Sequence, residues 1–139
     1  MISNRYSGIV LRTALAMVLL WFGFNQIKNP AMWTRLVPEM ISNSFNPTTF
    51  IYINGTFEII FATLLLLWLF TRTVSFMLTL HLLSITYAVG YGPVGARDFA
   101  LSIACFSIFL RGPDEFCLDE IIFNKEEENQ DKEELIKQL

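Results

Sequence analysis

Four stretches of the chain are apolar for long enough to cross a membrane. Residues 9–27 read IVLRTALAMVLLWFGFNQI, and residues 50–70 read FIYINGTFEIIFATLLLLWLF. Residues 73–91 read TVSFMLTLHLLSITYAVGY, and residues 94–110 read VGARDFALSIACFSIFL. A helical crossing of roughly 30 Å of hydrocarbon takes about 20 such residues. The fourth stretch is the shortest and holds Arg97-Asp98, but beside three better spans it reads as a fourth crossing. No strict alternation of apolar and polar residues marks barrel strands, and lipid tolerates no unpaired backbone. The expected fold class is therefore all-α, a polytopic bundle of four transmembrane helices.

The connections differ in character. Thr71-Arg72-Thr73 is a minimal turn that makes spans two and three antiparallel neighbours. Gly90, Gly92, Pro93 and Gly95 break the chain between spans three and four. Residues 28–49 are long enough to carry structure of their own. Asn29-Pro30 is a cap followed by a favoured first helical residue, and Met32, Trp33, Leu36 and Val37 share one helical face. Pro38 restarts the chain before Met40, Ile41 and Phe45. One or two short interfacial helices anchored by Trp33 are expected, with a plain surface loop as the alternative. The first span follows Arg5 as a secretory leader would. Trp21, Phe22 and Phe24, however, stand where small cleavage-site residues belong, so this span is expected to be retained.

Composition sharpens this picture. Hydrophobic residues make up 53% and charged residues 17%, too little charge to coat a soluble domain of 139 residues. Of the 13 acidic residues only Glu39, Glu58 and Asp98 precede position 114. The chain thus divides into a membrane domain, residues 1–121, and an acidic tail, residues 122–139, read as mobile and cytoplasmic. Nucleic-acid binding lacks a basic patch. With the N-terminus inside, the inner face carries Arg5, Arg12, Arg72, Arg111 and Lys125, against Lys28, Arg35 and Arg97 outside. That bias places both termini in the cytoplasm.

Charged side chains within spans cost about 2.5–3.5 kcal/mol each on insertion scales, so they mark functional candidates. Asn54 and Glu58 lie four apart on one face of span two, and span three carries His81, Ser84 and Tyr87. Span four has Asp98, Ser102 and Cys105 on one stripe behind Arg97, and span one ends in Asn25, Gln26 and Lys28. In the antiparallel arrangement Glu58 and His81 reach similar depth near mid-bilayer. Most of the remaining polar groups, Tyr87 among them, fall in the outer half. Two readings are open: an outward-facing polar pocket floored by Glu58 and His81, or polar pairs that hold the bundle together. Arg12, near the start of span one, either snorkels to headgroups or pairs inward with Glu58. His81 is the sole histidine, so bis-histidine haem fails. A metal site from Glu58, His81 and Asp98 has no spacing signature. Cys105 and Cys117 form no Cys-x-x-Cys pair, and no nucleotide loop or hydrolase triad occurs.

In their order these features resemble the DoxX family of DoxX/DoxD-like membrane proteins. The resemblance rests on Arg12, on Gly23 through Lys28-Asn29-Pro30, on Gly55 and Glu58, and on Thr71-Arg72. It continues through Arg97-Asp98 and Gly112-Pro113-Asp114. Lys28 follows Gly23 at a longer interval than the family's commonest form. The resemblance implies a four-helix inner-membrane bundle linked to thiosulfate:quinone oxidoreduction or to redox and thiol-stress assemblies. The leading expectation is a redox-associated module whose polar pocket admits a quinone-like or small amphipathic ligand. Its candidates are Asn54, Glu58, His81, Arg97, Asp98, Arg12 and Lys28, with no residue assigned to catalysis. The alternative is a non-catalytic accessory or scaffold subunit of a larger membrane complex. Solute transport is disfavoured by a single bundle with no repeat. The partners admitted are membrane lipid, a larger membrane or redox complex, and a second copy of the chain.

Overall fold

A computed structural model describes residues 2–112, with side chains from residue 6 onward. The acidic tail and the domain boundary expected at residue 121 lie outside the described residues. Four long helices form an antiparallel bundle: α1 (Ile2–Lys28), α4 (Pro47–Leu66), α5 (Thr71–Val89) and α6 (Pro93–Arg111). Between α1 and α4 lie the short helices α2 (Pro30–Trp33) and α3 (Glu39–Ser42), with a 3-10 turn at Thr34–Leu36 between them. The expected interfacial segment is therefore helical. We call the end of the bundle where α1 and α5 finish, and α4 and α6 begin, the upper end.

All four long helices are long and apolar enough to span a bilayer, and about a third or less of each spanning window is buried. The rest presents Val10, Met17, Ile60, Leu80, Ile103 and Leu110 outward, as a lipid-facing surface does. The bundle is built from two closely packed pairs, α1 with α4 and α5 with α6, and α4 touches α5 only sparingly. The apolar core lies at and below the level of Glu58. It joins Leu15, Ala16 and Leu19 of α1 to Ala62 and Leu65 of α4, Leu78 and Leu82 of α5, and Cys105 and Ile108 of α6.

Small residues set the close approaches. A Cβ on Gly23 would lie 2.9 Å from the Gly55 carbonyl oxygen, and one on Gly55 would lie 3.0 Å from the Gly23 carbonyl oxygen. These two glycines let α1 and α4 meet backbone to backbone, as small residues do where lipid supplies no hydrophobic drive. In α5 the buried face is Thr71, Ser75, Leu78, Thr79 and Leu82, opposite Gly95, Ser102 and Cys105 of α6. The hydroxyls of Ser75 and Thr79 donate to carbonyl oxygens four residues back, so they add no unpaired polar group.

Two local expectations need correction. The turn between α4 and α5 is Leu67–Phe70, not Thr71-Arg72-Thr73; Trp68 and Phe70 take left-handed conformations at φ 62° and 48°, and Thr71 already opens α5. Neither residue is the glycine such φ values favour, so the sequence carries no mark of the turn. Asn29 precedes Pro30 as expected, but its side chain makes no cap bond, and its N–H donates to the Asn25 carbonyl. The Asn-Pro cap that forms is Asn46-Pro47, where the Asn46 side chain accepts from the Thr48 N–H at 2.9 Å.

Candidate functional site

The glycine crossing positions the site. Gln26 follows Gly23 by three residues, and Glu58 follows Gly55 by three. Side chains on a helix lean toward its N-terminus. Because α1 runs up and α4 runs down, Gln26 leans downward and Glu58 upward, and they meet. Gln26 Nε2 donates to Glu58 Oε2 at 2.9 Å. Asn54 Nδ2 completes the cluster, donating to Gln26 Oε1 at 2.8 Å and to Glu58 Oε1 at 3.2 Å. Gln26 and Glu58 are both buried.

From α5, His81 enters the same cluster. Its Nε2 lies 3.9 Å from Glu58 Oε1, beyond hydrogen-bond reach. The imidazole is held by Phe57, whose ring centroid is 4.3 Å away, and Phe57 in turn stacks on Phe61 at 4.1 Å. Among the described residues His81 Nε2 is buried and accepts or donates no hydrogen bond.

A cavity of about 360 Å³ opens above this cluster. Gln26, Asn54, Glu58 and His81 give it a polar floor, and Trp33, Leu36, Val37, Pro38 and Ile41 roof it. Phe50, Ile85 and Val89 are among its apolar walls, and Arg97 of α6 stands at one side. The Arg97 guanidinium lies over Phe22, 3.9 Å from the ring centroid, and 5.8 Å from the Trp33 ring. Its Nε and Nη2 both donate to Asp98 Oδ1 at 2.7 Å. Asp98 is buried and Arg97 part-buried, so the carboxylate holds the cation against the aromatic pair. Trp33 Nε1 donates to Asn25 Oδ1 at 3.4 Å, tying the roof to the end of α1.

Thus the structure brings together Asn54, Glu58 and His81, with Arg97 at the side of the same cavity and Asp98 behind it. The other candidates lie elsewhere. Arg12 is 1% exposed yet donates from Nη2 to the Gly112 carbonyl at 2.8 Å, at the lower end of the bundle. It sits fourteen residues, about 21 Å along α1, from Gln26. It therefore neither snorkels nor pairs with Glu58. Lys28 is exposed and lines no part of the cavity, because α1 ends there with that position turned outward. Tyr87, grouped by sequence with the pocket, is 92% exposed and lines no part of the cavity. Gln26, Phe57, Phe22 and the roof were not among the candidates. The equal Gly-x-x-polar spacing at Gly23–Gln26 and Gly55–Glu58 is the signal that points to Gln26.

The fold and site define a small four-span α-helical membrane protein with a buried polar cluster beneath a mostly apolar cavity. The DoxX family model matches residues 8–90, well over half of the chain, and the chain belongs to the DoxX family. That match contains Arg12, Gln26, Gly55, Glu58 and His81, and ends before Arg97-Asp98. No curated protein and no solved structure matches the chain.

Proposed function

We propose that this DoxX-family protein is a redox-associated membrane module that binds a quinone-like or similarly small amphipathic ligand in the upper cavity. The observation that carries the reading is His81 Nε2, buried at the edge of the cavity without a hydrogen-bond partner among the described residues. Leaving such an atom unpaired costs about 1–3 kcal/mol. With its proton on Nε2, His81 would donate to a ligand carbonyl oxygen seated on the cavity side of both His81 and Glu58, and Glu58 would supply or accept a proton there. The volume suits a small ligand head, and the apolar walls suit a ring. Gln26 and Asn54 hold the Glu58 carboxyl in place. In this reading both termini face the cytoplasm, as the Lys/Arg bias directs.

The test is solvent extraction of the purified protein for bound quinone, followed by titration with decylubiquinone from about pH 5 to about pH 9. His81→Phe keeps the stack on Phe57 and is expected to weaken binding about tenfold. Glu58→Gln is expected to keep the fold but lose any dependence of binding on pH. Variants that bind like wild type at every pH refute the reading. A stoichiometric protein partner without quinone supports the accessory-subunit alternative instead.

A further inference from the structure

The wall of the cavity has an uneven exposure. Its roof and floor residues are buried or half-buried, whereas Ile53 of α4, and Ser84 and Ala88 of α5, are exposed. All three border the seam between α4 and α5, the two consecutive long helices that touch least. The turn at Leu67–Phe70 and the contacts of His81 with Glu58 and Phe57 hold this seam below. Above His81 residues of both helices line the cavity. Ile53 lies about 9 Å and Ser84 about 7.5 Å from the upper ends of their helices, at 1.5 Å per residue. Both depths fall within one leaflet of a hydrocarbon layer roughly 30 Å thick. The Ser84 hydroxyl donates to the His81 carbonyl at 2.6 Å, so its exposed position offers lipid no unpaired hydroxyl proton.

We infer that this seam is a lateral portal through which the ligand enters from the bilayer and leaves its tail there. The cavity, about 360 Å³, is near the low end for small-ligand sites, so it seats a polar head and not a long chain. The ligand class is then a membrane-dissolved lipophile, with a small polar head at Glu58 and His81 and a hydrocarbon chain along Ile53 and Ala88. The nature of the head rests on the proposed function; the position of the opening does not.

Two measurements separate these claims. The first compares binding of decylubiquinone with that of the same benzoquinone without its chain. Ala88→Trp, which fills the rim, is expected to weaken decylubiquinone about tenfold and to leave the chainless head within about twofold. Equal effects on both probes, or none on decylubiquinone, overturn the portal. The second needs no quinone. A nitroxide on Ile85→Cys, with Cys105 and Cys117 replaced, reports from the cavity wall in liposomes. Frequent collision with oxygen, reduced by Ala88→Trp and with little collision with a water-soluble nickel chelate, supports a lateral opening. Collision dominated by the nickel chelate overturns it, whether or not quinone binds.

Discussion

Gly23→Ala is the sharpest perturbation of the crossing that sets the site. The new Cβ would stand 2.7 Å from Ile59 Cγ1 and 2.9 Å from the Gly55 carbonyl oxygen. Ordinary contact begins near 3.4 Å, so the gaps fall short by about 0.7 and 0.5 Å. Ile59 can rotate away, but the Gly55 carbonyl is backbone and moves only with α4. Overpacking of this kind costs roughly 1–3 kcal/mol, while alanine returns up to about 1 kcal/mol of helix propensity. The expected net loss is about 1–2 kcal/mol. Because Gln26 and Glu58 lie one turn from the crossing, the same displacement stretches their 2.9 Å hydrogen bond. The assay is denaturant unfolding in detergent micelles, with Gly92→Ala as control. Gly92 has no atom within 4 Å of its Cβ position and an extended backbone, so its replacement should be nearly neutral. A Gly23→Ala variant as stable as wild type, or more stable, would refute the backbone-contact account of the α1–α4 pair.

Two further outcomes are expected. Arg97→Ala should destabilise the protein more than Asp98→Ala, since it strands the buried carboxylate, whereas Arg97 is about one-third exposed and can reach water. Losses of about 3 kcal/mol and about 1–2 kcal/mol are expected in the same unfolding assay, and the reverse order would show that Asp98 is held by something other than Arg97. Arg72→Cys should resist a membrane-impermeant thiol reagent added to intact cells, because the Lys/Arg bias puts the α4–α5 turn inside. Labelling from outside would invert the topology.

The fold class was legible in the sequence because lipid imposes length and apolarity on any crossing segment. Residues 9–27, 50–70, 73–91 and 94–110 therefore announce α1, α4, α5 and α6 to within about four residues, except that α1 begins seven residues earlier, at Ile2. The proximity of Glu58 to His81 was legible too, since two antiparallel helices joined by a short turn must bring equal depths together. Which face each helix turns inward was not. In a soluble helix burial sorts polar from apolar positions, but in lipid both faces are apolar, and Tyr87 and Lys28 carry no mark that they point away. Arg12 shows the same limit: its charge marks it as costly in the bilayer, but the Gly112 carbonyl that receives it lies 100 residues along the chain. The left-handed turn at Trp68 and Phe70, the contact of Gly23 with Gly55, and the roof over the cavity were decided by packing. Each depends on how closely two helices approach, and that distance exists only once both are in place.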